Sequence, residues 1–230
     1  MTTLKQELQS LKNPEKAKVY LGFFKTGKGE YGEGDIFLGV SVPEQRKIAK
    51  KYINLSLKEL QELFSTNLHE YRACSLFILI NKYRKSDESG KKEIFDFYLK
   101  NTININNWDL VDISAPHIIG DYLLNKNRKI LYKLANSKNP WEKRISIIST
   151  FTFIKNNQFE DTLKISEILL NDNHDLIHKA VGWMLREIGK RDQNTEEKFL
   201  EKHCKIMPRT MLRYAIEKFD ENKRKYYLSK

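Results

Sequence analysis

The sequence predicts an all-α protein built from helix pairs, and three observations carry that prediction. No stretch alternates apolar and polar residues for long enough to indicate a β-strand. Apolar residues recur instead at helical spacing, and typical helix-start residues such as Pro14 and Ser56 stand directly before such segments. The helices also recur as pairs, at intervals of roughly 40 residues. The predicted fold class is therefore all-α.

Helix pairs that repeat without strict sequence identity are typical of degenerate HEAT or armadillo repeats. Such pairs stack into an α-solenoid with one concave surface. An irregular helical bundle is the alternative. Since no linker rich in Pro, Ser or Gly divides the chain, we expect residues 1–230 to form a single HEAT-like repeat domain with a basic concave face.

The first segments are two short helices and a glycine-rich loop. The helices are predicted at about 3–11 and from Pro14 through Phe24. Residues 25–35 contain Gly27, Gly29, Gly32 and Gly34, which imitate a dinucleotide-binding fingerprint. That fingerprint needs a strand before it and a helix directly after it, and neither is predicted here. We therefore expect a partly basic surface loop, with a phosphate cradle as the alternative.

The remaining chain reads as helices almost throughout. The helix after Pro43 carries a basic cluster, and a later helix that begins near Asn106 or Asn107 is interrupted by Pro116 and Gly120. The other predicted helices span about 57–64, 67–83, 91–99, 127–134, 140–154, 159–170, 175–190, 196–207 and 209–219. A basic tail, 223–227, closes the chain.

Charge favours a polyanionic partner. Lys plus Arg number 41 against 30 Asp plus Glu, and the isoelectric point is about 9.4. Nucleic acid is the first candidate and an anionic membrane surface the second, while a generally lysine-rich composition is the alternative. The longest apolar run, Leu76–Ile80, is far too short to span a bilayer.

Cysteine usage and the amino terminus indicate the compartment. Cys74 and Cys204 are too few for a disulfide framework and are predicted to be small buried residues of a reduced protein. The first residues contain no apolar segment of the kind that directs export. We therefore expect a soluble, cytoplasmic protein.

Trp108 and Asp112 are the first residues that point to function. At about 100° per residue, Leu110, Ile113 and His117 share one side of their helix, and Trp108, Asp112 and Ala115 share roughly the opposite side. The pattern thus predicts an indole and a carboxylate displayed together, away from the core. The alternative is that the indole packs under a neighbouring helix and that the carboxylate is merely solvated.

Trp183 is a second tryptophan that the helical pattern places away from the core. The apolar stripe of its helix is Ile177, Val181, Met184 and Ile188. Trp183 lies off that stripe with Lys179, Arg186 and Lys190. An indole inside a cationic stripe suits contact with sugar and phosphate, although another helix covering it is the alternative.

Arg144 is a third unusual residue, because it stands in a helix that is apolar on most sides, beside Ile145 and Ile148. A guanidinium there requires a carboxylate or a phosphate as partner. A structural salt bridge and a functional phosphate contact are both open on these grounds. Trp141, at the start of the same helix, is predicted to pack in the interior.

Two other patterns are set aside. His174 and His178 have the spacing of a zinc-binding helix, but Asp175 stands where the longer Glu normally serves and no third ligand follows at a recognisable spacing. No Ser or Cys lies in a nucleophile elbow or beside a His. We expect neither a metal site nor a covalent nucleophile.

The order of these motifs along nearly the whole chain resembles the AlkD family of DNA alkylation repair glycosylases. The segments that carry the resemblance are 29–34, 37–40 with Pro43 and Arg46, 108–112, 120–121, Arg144 after Trp141, 179–187 and 213–218. The combined order is far more specific than any one motif.

The resemblance implies an α-solenoid of HEAT-like repeats whose basic concave face binds duplex DNA. It implies hydrolysis of the N-glycosidic bond of positively charged purines alkylated at N3 or N7, without extrusion of the base, in contrast to the usual strategy. Carried over by motif, Trp108 and Trp183 would embrace the lesion's deoxyribose and backbone, Asp112 would face the sugar, and Arg144 would hold a phosphate. We expect a monomer that acts on duplex DNA containing alkylated purines and uses no cofactor.

Further cations are predicted to supply affinity for DNA without reading bases. They are Lys143, Lys179, Arg186, Lys190, Arg46, Lys47, Lys50 and Lys51. One aromatic before the second repeat also approaches DNA in the family. The inserted glycine-rich loop leaves Phe23, Phe24 and Tyr31 as candidates for it.

Two rival functions remain. Related forms bind branched or distorted DNA without cutting any bond, and the presence of Trp108, Asp112, Arg144 and Trp183 argues against that reading. A HEAT-like solenoid can also act as a scaffold for protein partners. That rival predicts an acidic or apolar concave face, whereas the residues around Trp183 are basic.

Overall fold

The computed structural model describes residues 3–230, and in these residues the protein is helical throughout. The only β-type contact in this part of the chain is an isolated bridge between Ile36 and Leu68. The prediction of an all-α fold is confirmed. The chain packs as two compact units, which meet in sequence at Ser114 and Ala115 and are described separately. A single domain with a basic concave face stays a prediction.

The first unit contains seven helices among its described residues. They are α1 (Leu4–Ser10), α2 (Pro14–Phe23), α3 (Val42–Lys51), α4 (Leu57–Phe64), α5 (His69–Lys85), α6 (Glu88–Lys100) and α7 (Trp108–Ala115), whose last residue belongs to the second unit. A 3₁₀ turn, Thr102–Asn104, precedes α7. Helix α5 lies at the centre of this unit, since it packs against α3, α4 and α6.

In the second unit, Ala115 is followed by a π-helical turn, Pro116–Gly120. The helices of this unit are α8 (Asp121–Leu123), α9 (Lys129–Ala135), α10 (Pro140–Ser149), α11 (Phe151–Lys155), α12 (Glu160–Leu169), α13 (Asp175–Gly189), α14 (Gln193–His203), α15 (Arg209–Ala215) and α16 (Glu221–Ser229). A 3₁₀ turn, Ile216–Lys218, follows α15. Helix α13 is central here, packing against α10, α12, α14 and α15.

Local side-chain chemistry sets the helix starts. At α4, the Ser56 hydroxyl accepts from the N–H of Glu59 at 3.3 Å, and the Glu59 carboxylate accepts from the N–H of Ser56 at 2.7 Å. This reciprocal pair satisfies backbone donors that the helix itself leaves unpaired. At α2, the side chain of Asn13 accepts from the N–H of Lys16, and Pro14 occupies the first helical position. These starts are where the sequence predicts them.

The core follows the predicted apolar stripes. Leu76–Ile80 is buried within α5, and the α13 stripe of Ile177, Val181, Met184 and Ile188 is also buried. Cys74, Cys204 and Trp141 are buried, as predicted. No helix in the described part of the chain is both long and apolar enough to cross a membrane.

Three segments depart from the expected helices. The predicted helix over 140–154 is two helices, α10 and α11, with Thr150 between them. The helix that begins at Trp108 does not end at Pro116 but continues through the π-helical turn, which accommodates a proline that cannot donate a backbone hydrogen bond. The basic tail is part of a helix, α16.

Candidate functional site

The start of α7 positions Trp108. The N–H of Trp108 donates to Oδ1 of Asn107 at 2.8 Å, and the N–H of Val111 donates to the Asn107 carbonyl at 3.2 Å. Asn107 therefore starts the helix, as expected. Asp109 follows in the first turn, where its charge complements the exposed N–H groups.

Trp108 is half-buried and packs on α2 and the residue that follows it. Its indole stacks on Phe24, with ring centroids 5.6 Å apart and planes 21° apart, and meets the edge of Phe23 at 5.8 Å. The indole is thus partly covered, which was the structural alternative, while part of it stays accessible.

The prediction that Ala115 lies on the outer face of α7 is wrong. That residue is 0% exposed, and so are Leu110 and Val111, whereas Ile113 on the predicted core side is only half-buried. The reason is that α7 is buried around most of its circumference, so that a two-sided pattern does not describe it. Asp112 is half-buried.

Asp112 lies one turn after Trp108 in α7. Burial raises the pKa of the Tyr98 hydroxyl, and the negative charge of Asp112 adds to that rise. The Tyr98 hydroxyl is 2.9 Å from the hydroxyl of Ser114, within hydrogen-bonding distance. The charge of Asp112 therefore acts on a buried phenol that stays protonated, and the contact between Tyr98 and Ser114 links α6 to α7.

A buried charge cluster lies beneath Trp108. The His69 imidazole is 2.8 Å from Oδ2 of Asp109 through Nε2, and 3.3 Å from Oδ2 of Asp35 through Nδ1. Burial lowers the pKa of His69, but the charge of Asp109 and the hydrogen bonds to Asp109 and Asp35 outweigh it and raise the pKa to about 9. His69 is therefore protonated at neutral pH and joins two carboxylates.

Arg72 completes this cluster. Its Nη2 lies 2.7 Å from Oδ1 of Asp35, and its Nη1 donates to Oδ1 of Asn106. Burial tends to raise the pKa of Asp35, but the hydrogen bond to His69 and the charge of Arg72 hold it below its usual value. The cluster thus ties the end of the glycine-rich loop to α5 and to the segment before α7.

An aromatic cavity of about 470 Å³ adjoins the cluster within the first unit. Six aromatic side chains line it: Tyr20, Phe23, Phe24, Phe37, Phe77 and Trp108. Other lining residues include Val19, Val42, Gln45, His69, Glu70, Ala73, Asp109 and Ile113. A concave and largely apolar site with a few polar groups is typical of sites that bind small ligands.

Glu70, in the wall of this cavity, has a structural role. Its carboxylate accepts from the backbone N–H groups of Leu38, Gly39 and Val40 at 3.0, 2.8 and 3.3 Å. The buried charge is balanced by these donors, which fix the segment before α3. Glu70 is therefore not placed to act on a substrate.

In the second unit, Arg144 is 5% exposed. Its Nη1 donates to the carbonyl of Leu176 at 2.6 Å, close to the start of α13. The sequence analysis expected a carboxylate or a phosphate as partner, and one contact of the guanidinium is with this backbone oxygen. Any contact with DNA would therefore be made by a small accessible part of the guanidinium.

Trp183 is half-buried and adjoins an acidic residue that the sequence analysis missed. The indole N–H donates to Oε1 of Glu187 at 3.2 Å, and the ring lies 6.0 Å from Phe151. Glu187 also binds Lys190 at 2.5 Å and lies within 3.9 Å of Arg186. The signal was present, because Glu187 is four residues after Trp183 and three before Lys190.

The predicted cations around Trp183 are already paired with carboxylates. Lys179 binds Asp175 at 2.6 Å, Lys143 binds Asp172 at 2.6 Å, and Arg186 binds Glu217. Contact with phosphate there would exchange one anion for another. This surface is therefore less cationic than the sequence stripe alone suggests.

The basic cluster on α3 is only partly paired with carboxylates, unlike the cations around Trp183. Lys51 binds Glu7 at 2.8 Å, and the Arg46 guanidinium lies 4.3 Å from the centroid of Phe77. Lys47 and Lys50 are exposed and form no ion pair with any residue in the described part of the chain. Tyr31 is half-buried in the glycine-rich loop.

His174 and His178 have local roles at the start of α13. Nδ1 of His174 accepts from the N–H of Leu176 at 3.2 Å, and Nε2 of His178 contacts the carbonyl of Asp172. Across residues 3–230, no group of three or more His, Cys, Asp or Glu side chains is arranged to hold a metal ion.

The comparisons with known proteins agree with this fold. The family model described as DNA alkylation repair enzyme matches residues 4–219. A solved structure of a predicted DNA alkylation repair enzyme from Enterococcus faecalis has a TM-score of 0.71 at 16% identity, covering 91% of this chain and 97% of that one. AlkD2 from Streptococcus mutans has a TM-score of 0.58 at 17% identity, covering 89% and 99%.

Among curated proteins, trigger factor from Mesomycoplasma hyopneumoniae (strain 232) is 24% identical over 197 residues. The match covers 84% of this chain, which spans only 36% of that protein's length. Similarity at this level carries no activity across. The family model covers most of the chain, and on that ground this protein belongs to the family of DNA alkylation repair enzymes.

Proposed function

We propose that this protein is a DNA glycosylase that hydrolyses the N-glycosidic bond of purines alkylated at N3 or N7 in duplex DNA. The observation that carries the proposal is the pair formed by Trp108 and Asp112. They are one turn apart on α7, and both are half-buried, so that a ligand can reach them. Family membership gives this pair a context in alkylation repair.

The chemistry needs few protein groups. An alkylated purine carries a positive charge, so the bond between its nitrogen and C1′ breaks with the electron pair going to the base, which becomes neutral. The sugar then passes through an oxocarbenium-like state. The Asp112 carboxylate stabilises that positive charge and takes a proton from the water whose oxygen bonds to C1′. No general acid is required.

The other proposed roles are contacts with DNA. Trp108 and Trp183 lie against sugar and backbone through C–H and cation–π contacts, and Arg144 holds a phosphate. Lys47 and Lys50 add affinity that is independent of sequence. In line with the family resemblance, we propose that the base is not extruded before the bond breaks.

The test is release of alkylpurines from a methylated duplex by purified protein. Asp112→Asn should fold and bind DNA but release 7-methylguanine about 10²- to 10³-fold more slowly, because a well-placed electrostatic group is lost. Asp96→Asn is the matched control. Asp96 lies on α6 and pairs with Lys92 at 2.6 Å, so its loss should leave the rate unchanged.

Undiminished release by Asp112→Asn would remove that residue from the mechanism. If the unmodified chain binds lesion-bearing or branched duplex but releases no base, the protein is a non-catalytic binder. If it binds no DNA, the scaffold reading is the better one. Gel-shift and base-release measurements on the same preparations separate the three.

A further inference from the structure

The aromatic cavity of the first unit has a use that the proposed hydrolysis does not assign. Its walls come from α2, α3, α5, the start of α7 and the segment that contains Phe37. A volume of about 470 Å³ falls within the usual range for small-ligand sites, about 300–1,000 Å³. The space therefore exceeds what a packing defect in a core would leave.

The rings of the wall favour a flat ligand. Phe37, Phe24 and Trp108 are nearly parallel, with interplanar angles of 16° and 21° between successive rings. Phe23 and Tyr20 meet Phe24 edge-on, at 89° and 87°. Such a set offers both faces and edges to an aromatic ring, which are the two arrangements that aromatic pairs prefer.

The mouth of the cavity is unusually apolar for a surface. Val19, Phe23 and Val42 line it and are 68%, 60% and 48% exposed. A contiguous exposed apolar patch commonly marks a binding site. Leu21 lies on α2, as Val19 and Phe23 do, and is also exposed, but it does not line the cavity.

Two residues of the wall have unused hydrogen-bond acceptors. Gln45 is 4% exposed and donates through Nε2 to the Val40 carbonyl at 2.8 Å, while its Oε1 has no donor among residues 3–230. Asp109 uses Oδ2 for His69, and its Oδ1 likewise has no donor in the described chain. Buried acceptors without donors are uncommon, and a ligand with N–H groups would satisfy them once these side chains turn toward it.

We infer that this cavity binds a flat purine base that carries N–H donors, the chemical class that the proposed glycosylase releases. The inference rests on the proposed function for its link to catalysis. Trp108 and Ile113, both in the wall, flank Asp112 along α7. A base freed beside Asp112 therefore has an aromatic site next to it, and no covalent step takes place in the cavity.

The test is a calorimetric titration of the full chain with free 7-methylguanine, without DNA. We expect saturable binding at one site. Caffeine is a purine of similar shape whose ring nitrogens carry no hydrogen, so it should bind about tenfold more weakly, because the acceptors stay unsatisfied. Phe23→Ala should weaken binding of 7-methylguanine about tenfold by removing an aromatic wall, and Leu21→Ala should not change it.

Absence of saturable binding would overturn the inference, as would equal affinity for caffeine or equal effects of Phe23→Ala and Leu21→Ala. Base release from methylated duplex, measured on the same protein, keeps the two proposals apart. Release without binding of the free base removes the cavity assignment alone. Binding that follows the expected pattern without release removes the glycosylase assignment and leaves a purine site.

Discussion

Trp108 is held from two directions by residues distant in sequence. Phe24 stacks on the indole, and the His69 ring contacts Phe24 with centroids 4.9 Å apart and planes 36° apart. His69 also binds Asp109, the residue after Trp108. Protonated His69 therefore fixes the first turn of α7 through its ion pair with Asp109 and through its contact with Phe24, and Asp112 follows one turn later.

This arrangement predicts a pH-dependent stability. Because the pKa of His69 is raised to about 9 from an ordinary value of 6.5, its contribution is complete below about pH 6.5 and is lost as the pH rises through about 9. Between pH 6 and pH 10, the unfolding free energy of the unmodified protein should fall by about 2–3 kcal/mol more than that of His69→Gln. Urea unfolding at several pH values measures this difference.

The charged groups that face His69 are Asp35, Asp109 and Arg72, and Glu70 lines the same cavity. Asp109→Asn removes the carboxylate nearer to His69. This variant should therefore also lose less unfolding free energy between pH 6 and pH 10 than the unmodified protein does. Tyrosines and lysines that titrate at high pH are common to all these proteins and cancel in the comparison. Parallel pH profiles for the unmodified protein and His69→Gln would refute the role of the imidazole.

Residues of the site differ in how far sequence predicts them. Local chemistry identifies Asn107 as a helix start, and Glu187 was recoverable from its spacing to Trp183 and Lys190. The pairing of His69 with Asp35 and Asp109 was not, because it joins residues 34 and 40 positions apart. The Leu176 carbonyl that receives Arg144 is 32 positions away and has no sequence signature.

At the scale of helices, starts and apolar stripes follow from sequence, but the way in which a helix is covered does not. The stripe of α13 faces the interior as predicted, since Ile177, Val181 and Met184 are all buried. Helix α7 is buried around most of its circumference, so that the side assigned to Ala115 was wrong. A hydrophobic pattern fixes a face only when one face of the helix stays open to solvent.

The close approach of α13 and α15 depends on Gly182. A Cβ there would lie 2.4 Å from the Met211 carbonyl oxygen and 2.5 Å from Cβ of Tyr214. Gly182→Ala should therefore force the helices apart and destabilise the protein by about 1–3 kcal/mol, although alanine favours helix formation. Urea unfolding measures the change, and the emission of Trp183, the next residue, should shift with it.

Gly22 offers a matched control for this prediction. It lies near the end of α2, and a Cβ at this position would meet nothing within 4 Å. Gly22→Ala should therefore be neutral or should stabilise by about 0.5–1 kcal/mol through helix propensity. If Gly182→Ala matched Gly22→Ala in stability, the proposed steric limit on the α13–α15 contact would be wrong.

At the scale of the whole molecule, the excess of cations overstates the charge available to DNA. The chain carries a formal charge of +11, yet Lys143, Lys179 and Arg186 each bind a carboxylate. Composition predicts a polyanionic partner but cannot show which cations are already neutralised, since their partners lie on other turns and other helices.

Lys50 and Lys190 should therefore differ in their contribution to DNA binding. Lys50 has no carboxylate partner in residues 3–230, whereas Lys190 binds Glu187 at 2.5 Å. Each phosphate contact adds about 0.9 to the slope of log K against log salt concentration. Lys50→Gln should thus lower that slope by about 1 on undamaged duplex, with Lys47→Gln acting alike and additively.

Lys190→Gln should lower the slope by less than about half of the change expected for Lys50→Gln, because the charge of Lys190 is already paired with Glu187. Fluorescence anisotropy with a labelled duplex, between about 50 and 200 mM salt, covers the range in which such slopes are measured. Equal slopes for the Lys50 and Lys190 variants would mean that phosphate displaces Glu187 from Lys190. In that case the paired cations around Trp183 would also contribute to DNA binding, together with Lys47 and Lys50 of α3.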